Sequence, residues 1–251
     1  MIRFNKFFER ISRLFNFMIS DNYKLNHKYQ NKNQVTNTEV ILNLLKNKNF
    51  KPKIIVDIGC GYGQWTKKII KYYPNADYFL FDADINNEHK LESLKKKYNN
   101  LQFKICLLSD DNAKYTFFNM GYGSSIFEEQ TNHKRLIQEI KSTTLIQELP
   151  SSIKNQSNNL IKLDVQGAEL KVLDGLKESI NFFEIIILEV SLHNYNKEAP
   201  LFDKIMTYMD NKNYKLYDIF DLKRLGEINS FLIQFDCVFV KKNSDLFNVK
   251  F

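Results

Sequence analysis

The stretch IIVDIGCGYGQW, Ile54 to Trp65, constrains this chain more than any other. Apolar residues run into an acid, Asp57, and glycines then stand at every second position: Gly59, Gly61 and Gly63. An apolar run of strand length that ends in glycines reads as a buried strand turning sharply into a helix. The helix is expected from Gln64 to Tyr73, stopped by Pro74.

The alternation continues along the chain. A strand is expected at Lys53–Ile58 and another at Tyr78–Phe81, ending in Asp-Ala-Asp, with a helix over Glu88–Tyr98. In LQFKICLL, residues Leu101, Phe103, Ile105 and Leu107 fall on one face of a single strand. After a long irregular stretch come a strand at Leu160–Leu163, a helix near Ala168–Leu176 and a strand at Glu184–Val190. Strands alternating with helices mean a parallel sheet covered on both faces. The end differs: a helix at Leu201–Met209 precedes YKLYDIF and FLIQFDCVFV, two strands joined by a loop containing Gly226. Strands with no helix between them pair antiparallel. The expected fold is therefore α/β, a Rossmann-like, mostly parallel sheet with helices on both faces and a C-terminal antiparallel hairpin.

Residues 1–35 read as a separate segment and 36–251 as the main domain. Phe4, Phe7, Phe8, Ile11, Leu14, Phe15 and Met18 recur at helical spacing, with Arg3, Lys6, Arg10 and Arg13 between them. Such a basic amphipathic helix suits peripheral contact with an anionic membrane, or packing on the body or on a second copy of the chain. Thr36 to Glu39, TNTE, has the form of a capping box for the helix carrying Val40, Ile41, Leu44 and Leu45.

Residues 1–53 hold 11 Lys or Arg against 3 Asp or Glu, a charge of +8, while the rest hold 25 against 26, a charge of −1. A neutral body argues against a nucleic-acid partner. The scattered Cys60, Cys106 and Cys237 argue for a reduced, cytoplasmic setting without structural zinc. No run of 18 uncharged apolar residues occurs to cross a membrane.

In open parallel sheets a glycine turn after the first strand is a ligand site. Asp82 lies 19 residues after Gly63, at the end of the second strand, where an acid accepts ribose hydroxyls. The dinucleotide fingerprint G-x-G-x-x-G fails in both registers, at Gln64 and at Thr66. The pattern Asp-x-Gly-x-Gly-x-Gly resembles motif I of class I S-adenosylmethionine-dependent methyltransferases, which implies their seven-stranded fold. A second motif narrows the family. LIKLDVQGAELKVLDGL, Leu160 to Leu176, resembles the Lys-Ile-Asp-Val-Glu-Gly-Ala-Glu segment of the FkbM methyltransferases. LLSDDNA, GYGSSIF, STTLIQELP, EVS, LYDI and QFDCVFVK are similar to further parts of that family, so the likeness runs from about Ile54 to Val240. One departure is Gln166, which stands where the family has an acid.

The resemblance implies O-methylation, of a sugar or a small hydroxylated compound, with S-adenosylmethionine as cofactor. On that basis Asp57, Gly59 and Gly61 are assigned to its methionine end and Asp82 to the ribose, with Cys60 and Gly63 also cofactor-binding. Asp110, after the third strand, falls to the adenine amino group, and Ser109, Ser124 and Ser125 are further contacts. Methyl transfer to an alcohol needs a base. His193, just past the fifth strand in EVSLHNY, is the expected base, with Asp164 positioning it or the acceptor. A metal is the rival means of activation, for which Asp164, Glu169 and Glu189 supply oxygen. No metal ligand is assigned, because helix spacing turns Glu169 toward a structural role, and Glu189 is expected to face the cofactor's amino group. Residues 110–160 are too long for a plain connector and are expected to form a lid or acceptor pocket. The acceptor expected is a sugar or nucleotide-sugar in surface polysaccharide assembly. An NAD-dependent oxidoreductase and a silent nucleoside-binding module are the alternatives.

Overall fold

The computed structural model describes residues 37–155, 158–225 and 231–248. The expected N-terminal helix and connector, and the Gly226 loop, lie outside them. Chain order begins with helix α1 (Thr38–Asn47), strand β1 (Ile54–Ile58), helix α2 (Gln64–Ile69), strand β2 (Asp77–Asp82), helix α3 (Glu88–Lys97) and strand β3 (Leu101–Ile105). Strands β4 (Leu107–Ser109), β5 (Lys114–Asn119) and β6 (Leu136–Thr144) follow, then the short helix α4 (Leu145–Glu148). Strand β7 (Asn159–Leu163), helix α5 (Glu169–Asp174), strand β8 (Phe183–Ser191) and helix α6 (Phe202–Asn211) lead to strands β9 (Tyr214–Leu225) and β10 (Phe231–Lys241).

Seven strands form one sheet in the order β3-β2-β1-β7-β8-β10-β9. The first five are parallel, and β10 runs antiparallel between β8 and β9. Every residue of β1 and β7 is buried, the polar Asp57, Asn159 and Lys162 included, because both strands lie in the middle of a parallel sheet covered on both faces. On one face Ile55, Leu160, Ile185, Ile187 and Val238 pack against Ile41, Leu42, Leu45, Ile69 and Leu91 of α1, α2 and α3. On the other, Val56, Ile161, Ile186, Leu188 and Phe239 pack against Val172, Leu173, Ile205 and Met209 of α5 and α6.

Several local expectations are corrected. The N-cap of α1 is Asn37, whose side chain accepts from the N–H groups of Glu39 (3.0 Å) and Val40 (3.1 Å). This residue holds the extended backbone an N-cap needs, and the helix starts one residue later than a cap at Thr36 would give. Helix α2 stops at Ile69 rather than at Tyr73. LQFKICLL is two strands, not one. The Cys106 N–H still bonds the Asp82 carbonyl of β2 (2.8 Å), which ends that ladder, and beyond it Leu107–Ser109 leaves the main sheet to pair in parallel with Ser142–Thr144. The stretch from 110 to 160 is not irregular. It contains β5 and β6, which with β4 make a separate sheet in the order β4-β6-β5.

Candidate active site

Strand order reverses between β1 and β7, and the turns that leave these two strands meet there. Gly59 (φ +68°) donates its N–H to the Phe81 carbonyl (2.9 Å), and a Cβ on it would lie 1.9 Å from the Asp164 carbonyl oxygen. It is glycine because β7 passes against it. At Gly61 (φ +55°) a Cβ would meet nothing within 4 Å, so this is where the turn opens. Gly63 presses on Leu94 of α3.

Asp82 is tied to the turn before any ligand arrives. Its Oδ2 accepts from the Gly61 N–H (2.6 Å), while Oδ1 accepts from Asp84 N (2.9 Å) and Asn87 Nδ2 (3.1 Å). Burial nevertheless holds its carboxyl above the usual range. Asp57 is fully buried in β1. Thr66 donates to its Oδ2 (2.5 Å), and Oδ1 has no partner among the described residues. Burial pushes Asp57 up to about 6, against the pull of Lys162. Cys60 is buried with its thiol raised by desolvation, which leaves it unreactive.

Beyond the turn lies a row of ionisable side chains along the sheet. Lys162 of β7 sits in register with Asp57, is buried, and donates to Asp164 Oδ2 (2.9 Å), with the Trp65 ring 5.9 Å away. Burial opposes its charge, but Asp164, Asp236 and Asp57 together keep it an ammonium. The same ion pair overrides burial at Asp164 and lowers its carboxyl. Glu189 of β8 accepts from Gln166 Nε2 and Lys223 Nζ, and on β10 Asp236 stands opposite it. Burial drives Asp236 up to about 8, against Lys162 and with Asp164 adding to the rise.

The remaining assigned residues are placed as follows. His193 is exposed in the loop between β8 and α6, its ring meeting Phe231 edge-on at 5.2 Å. Asp164 is bonded to Lys162 and Gln166, and no hydrogen bond to His193 is among its described contacts. Ser109 is buried and donates to Asp110 Oδ1 (2.8 Å). Asp110 follows β4 rather than β3, and Lys171 of α5 (3.2 Å) and the Tyr115 hydroxyl (3.1 Å) both donate to it. Ser124 closes its own loop, accepting from Met120 N (2.9 Å). Ser125 is buried and donates to the Gln166 carbonyl (2.9 Å). From the same loop the exposed Tyr122 hydroxyl reaches that of Tyr62 in the glycine turn (2.6 Å). Glu169 is structural: its Oε1 accepts the N–H groups of Val165 (3.1 Å) and Gly167 (3.2 Å), which fixes the β7–α5 turn, and burial lifts it to about 7. Among the described residues no group of three or more His, Cys, Asp or Glu has the geometry to hold a metal.

A sheet of this order, with an Asp-led glycine turn at its switch point, meets a family model described as the methyltransferase FkbM domain, over residues 56–216. The chain belongs to the FkbM methyltransferase family. It is an S-adenosylmethionine-dependent methyltransferase, which sets aside the oxidoreductase and the silent module. This FkbM chain is 26% identical over 164 residues to the 2-O-methyltransferase NoeI of Sinorhizobium fredii, covering 59% of this chain and 68% of that one. It is also similar to the solved 1,6-didemethyltoxoflavin-N1-methyltransferase of Burkholderia thailandensis, with 10% identity, TM-score 0.47 and coverage of 94% and 90%. A third likeness is to the precorrin-6y C5,15-methyltransferase of Geobacter metallireducens, with 12% identity, TM-score 0.45 and coverage of 84% and 92%.

The residues present fit the methyl donor. The open side of Gly61 leaves room for it, the orphaned buried Oδ1 of Asp57 offers an acceptor to a cationic group, and the Asp82 carboxyl is fixed beside that opening at the end of β2. Lys162, Lys223 and Asp236 escaped the sequence reading. The signal available for two of them was a charge inside an otherwise apolar strand, LIKL and FDCVF.

Proposed function

We propose that this FkbM methyltransferase methylates a hydroxyl oxygen of a sugar, carried on a nucleotide or on a glycan precursor of surface polysaccharide. The likeness to the 2-O-methyltransferase NoeI carries the choice of oxygen, and the family resemblance supports the sugar. When bound, S-adenosylmethionine supplies an electrophilic methyl group on a sulfonium sulfur. The chain has to align a poor nucleophile with it and accept its proton.

In this reading Gly61 and Asp82 bind the donor and residues 110–160 cover the acceptor. Asp164, already charged and oriented by Lys162, accepts a hydrogen bond from the acceptor hydroxyl. His193 takes its proton as the general base. The basic segment 1–35 provides the contact with a membrane surface or a second copy.

The test is incubation with S-adenosylmethionine and a panel of nucleotide-sugars and oligosaccharides, read by mass spectrometry. Gain of one methyl group on a sugar oxygen is the expected result. Methylation of an amine, or none despite bound S-adenosylhomocysteine, removes the sugar reading. His193→Ala should lower kcat by about 10²–10⁴-fold while leaving S-adenosylhomocysteine binding unchanged. An unchanged kcat assigns the proton to another group. Asp82→Ala should weaken calorimetric binding of S-adenosylhomocysteine by roughly 10–100-fold, the loss of a charge-assisted hydrogen bond.

A further inference from the structure

Gln166 stands where three distant segments meet. Its backbone is left-handed (φ +53°), and its carbonyl accepts from Ser125 Oγ (2.9 Å) and from Asn196 Nδ2 (2.7 Å) in the β8–α6 loop. Its side-chain Nε2 donates to Asp164 Oδ1 (3.0 Å) and to Glu189 Oε2. Between two carboxylates only the NH2 end of the amide serves, because it alone carries two N–H donors.

We propose that Gln166 is the positioning residue of the acceptor side, its amide clamping the Asp164 and Glu189 carboxylates at a fixed separation and its carbonyl fastening that pair to the insertion and the β8–α6 loop. The acceptor side is defined by the hydroxyl-methylation reading, whereas the clamp is a property of the folded chain. The charges around it show how an amide serves in this chain. Lys162 on β7 faces Asp164, Lys223 on β9 faces Glu189, Asp236 on β10 is opposite Glu189, and Asp57 on β1 is beside Lys162. Glu169 on α5 is occupied by the turn's own N–H groups. Both lysines are already engaged by carboxylates, so a glutamate at 166 has no free cation to meet. It would bring a further carboxyl group that when ionised has no donor and when protonated has one in place of two, and beside these carboxylates such a group stays protonated.

The experiment uses the full chain with Gln166→Glu and Gln166→Leu, read by thermal unfolding from pH 5 to 8 and by S-adenosylhomocysteine calorimetry. The unfolded glutamate titrates at about 4.3. Its folded counterpart titrates higher, so above that pH the native state holds the extra proton and stability falls as pH rises. The Tm of Gln166→Glu should therefore drop by about 3–5 °C per pH unit more than that of the wild type. If this variant unfolds at neutral pH, it should regain S-adenosylhomocysteine binding at pH 5. Gln166→Leu, with neither donor nor charge, should bind S-adenosylhomocysteine normally, keep the KM for the donor and lose kcat about tenfold or more. A wild-type pH slope in Gln166→Glu, or unchanged kcat in Gln166→Leu, overturns the clamp. If no sugar hydroxyl is methylated by the wild type, the functional reading fails and the pH slope still decides the clamp.

Discussion

Gly59→Ala is expected to abolish the site by displacing β7. The added Cβ would sit 1.9 Å from the Asp164 carbonyl oxygen, and that oxygen is backbone, which no rotamer change can move aside. Forcing the strands apart breaks the hydrogen bond from Asp164 N to the Ile58 carbonyl (2.9 Å) and pulls Asp164 away from the turn. Overpacking of this kind costs about 1–3 kcal/mol, and a non-glycine residue at positive φ adds about 1–2 kcal/mol. Together they lower Tm by roughly 4–20 °C in a domain of this size. S-Adenosylhomocysteine binding should vanish with the fold of the turn. Gly61→Ala is the control: its Cβ meets nothing in the protein, so Tm should fall only by the backbone penalty while binding is lost to the methyl in the open space. If Gly59→Ala keeps both Tm and binding, the close approach of β7 is not what selects glycine.

Lys162→Met carries the second large effect. The ammonium is buried, and it offsets Asp57, Asp164 and Asp236 at once. Removing one partner of a buried ion pair typically costs about 3–5 kcal/mol, because the charges left behind are uncompensated. The wild type already shows the direction. Asp236, raised to about 8, binds a proton in the folded chain that the unfolded chain has released above about 4, so this group's contribution falls as pH rises between those values. Without Lys162 the folded carboxylates shift further up, and the destabilisation should be larger at pH 8 than at pH 5. Chemical denaturation at the two pH values reads it directly. A deficit that is the same at both would mean that lost packing against Trp65, 5.9 Å away, outweighs lost charge.

The sheet was legible in the sequence where local pattern and burial agree. β1, β7 and β8 are short, apolar and flanked by turns, and the paired β9 and β10 follow from strands with no helix between them. Pattern failed at Cys106, where alternation continues unbroken through LQFKICLL although the chain leaves the main sheet after its bond to Asp82 and pairs with β6 instead. It failed again in β6, whose LIQEIKSTT is half exposed and too polar to declare a strand. In the site, the glycines and Asp82 announce themselves by spacing. The clamp of Gln166 on Asp164 and Glu189 does not, since its members come from the β7–α5 turn and from β8 and meet only through tertiary packing.

The pairing of β1 with β7 also has a history in time. The Asp-led turn is synthesised early, but its packing surface, the Asp164 carbonyl, lies 105 positions later, the difference between residues 59 and 164. At a translation rate of roughly 5–20 residues per second, the turn waits on the order of 5–20 s on the ribosome for its partner strand. Through that interval the edge of β1 that β7 later takes has no partner strand. Nascent chains stalled before residue 159 should therefore bind no nucleoside and recruit chaperones, whereas those extended past α5 should be protected from proteolysis around the glycine turn.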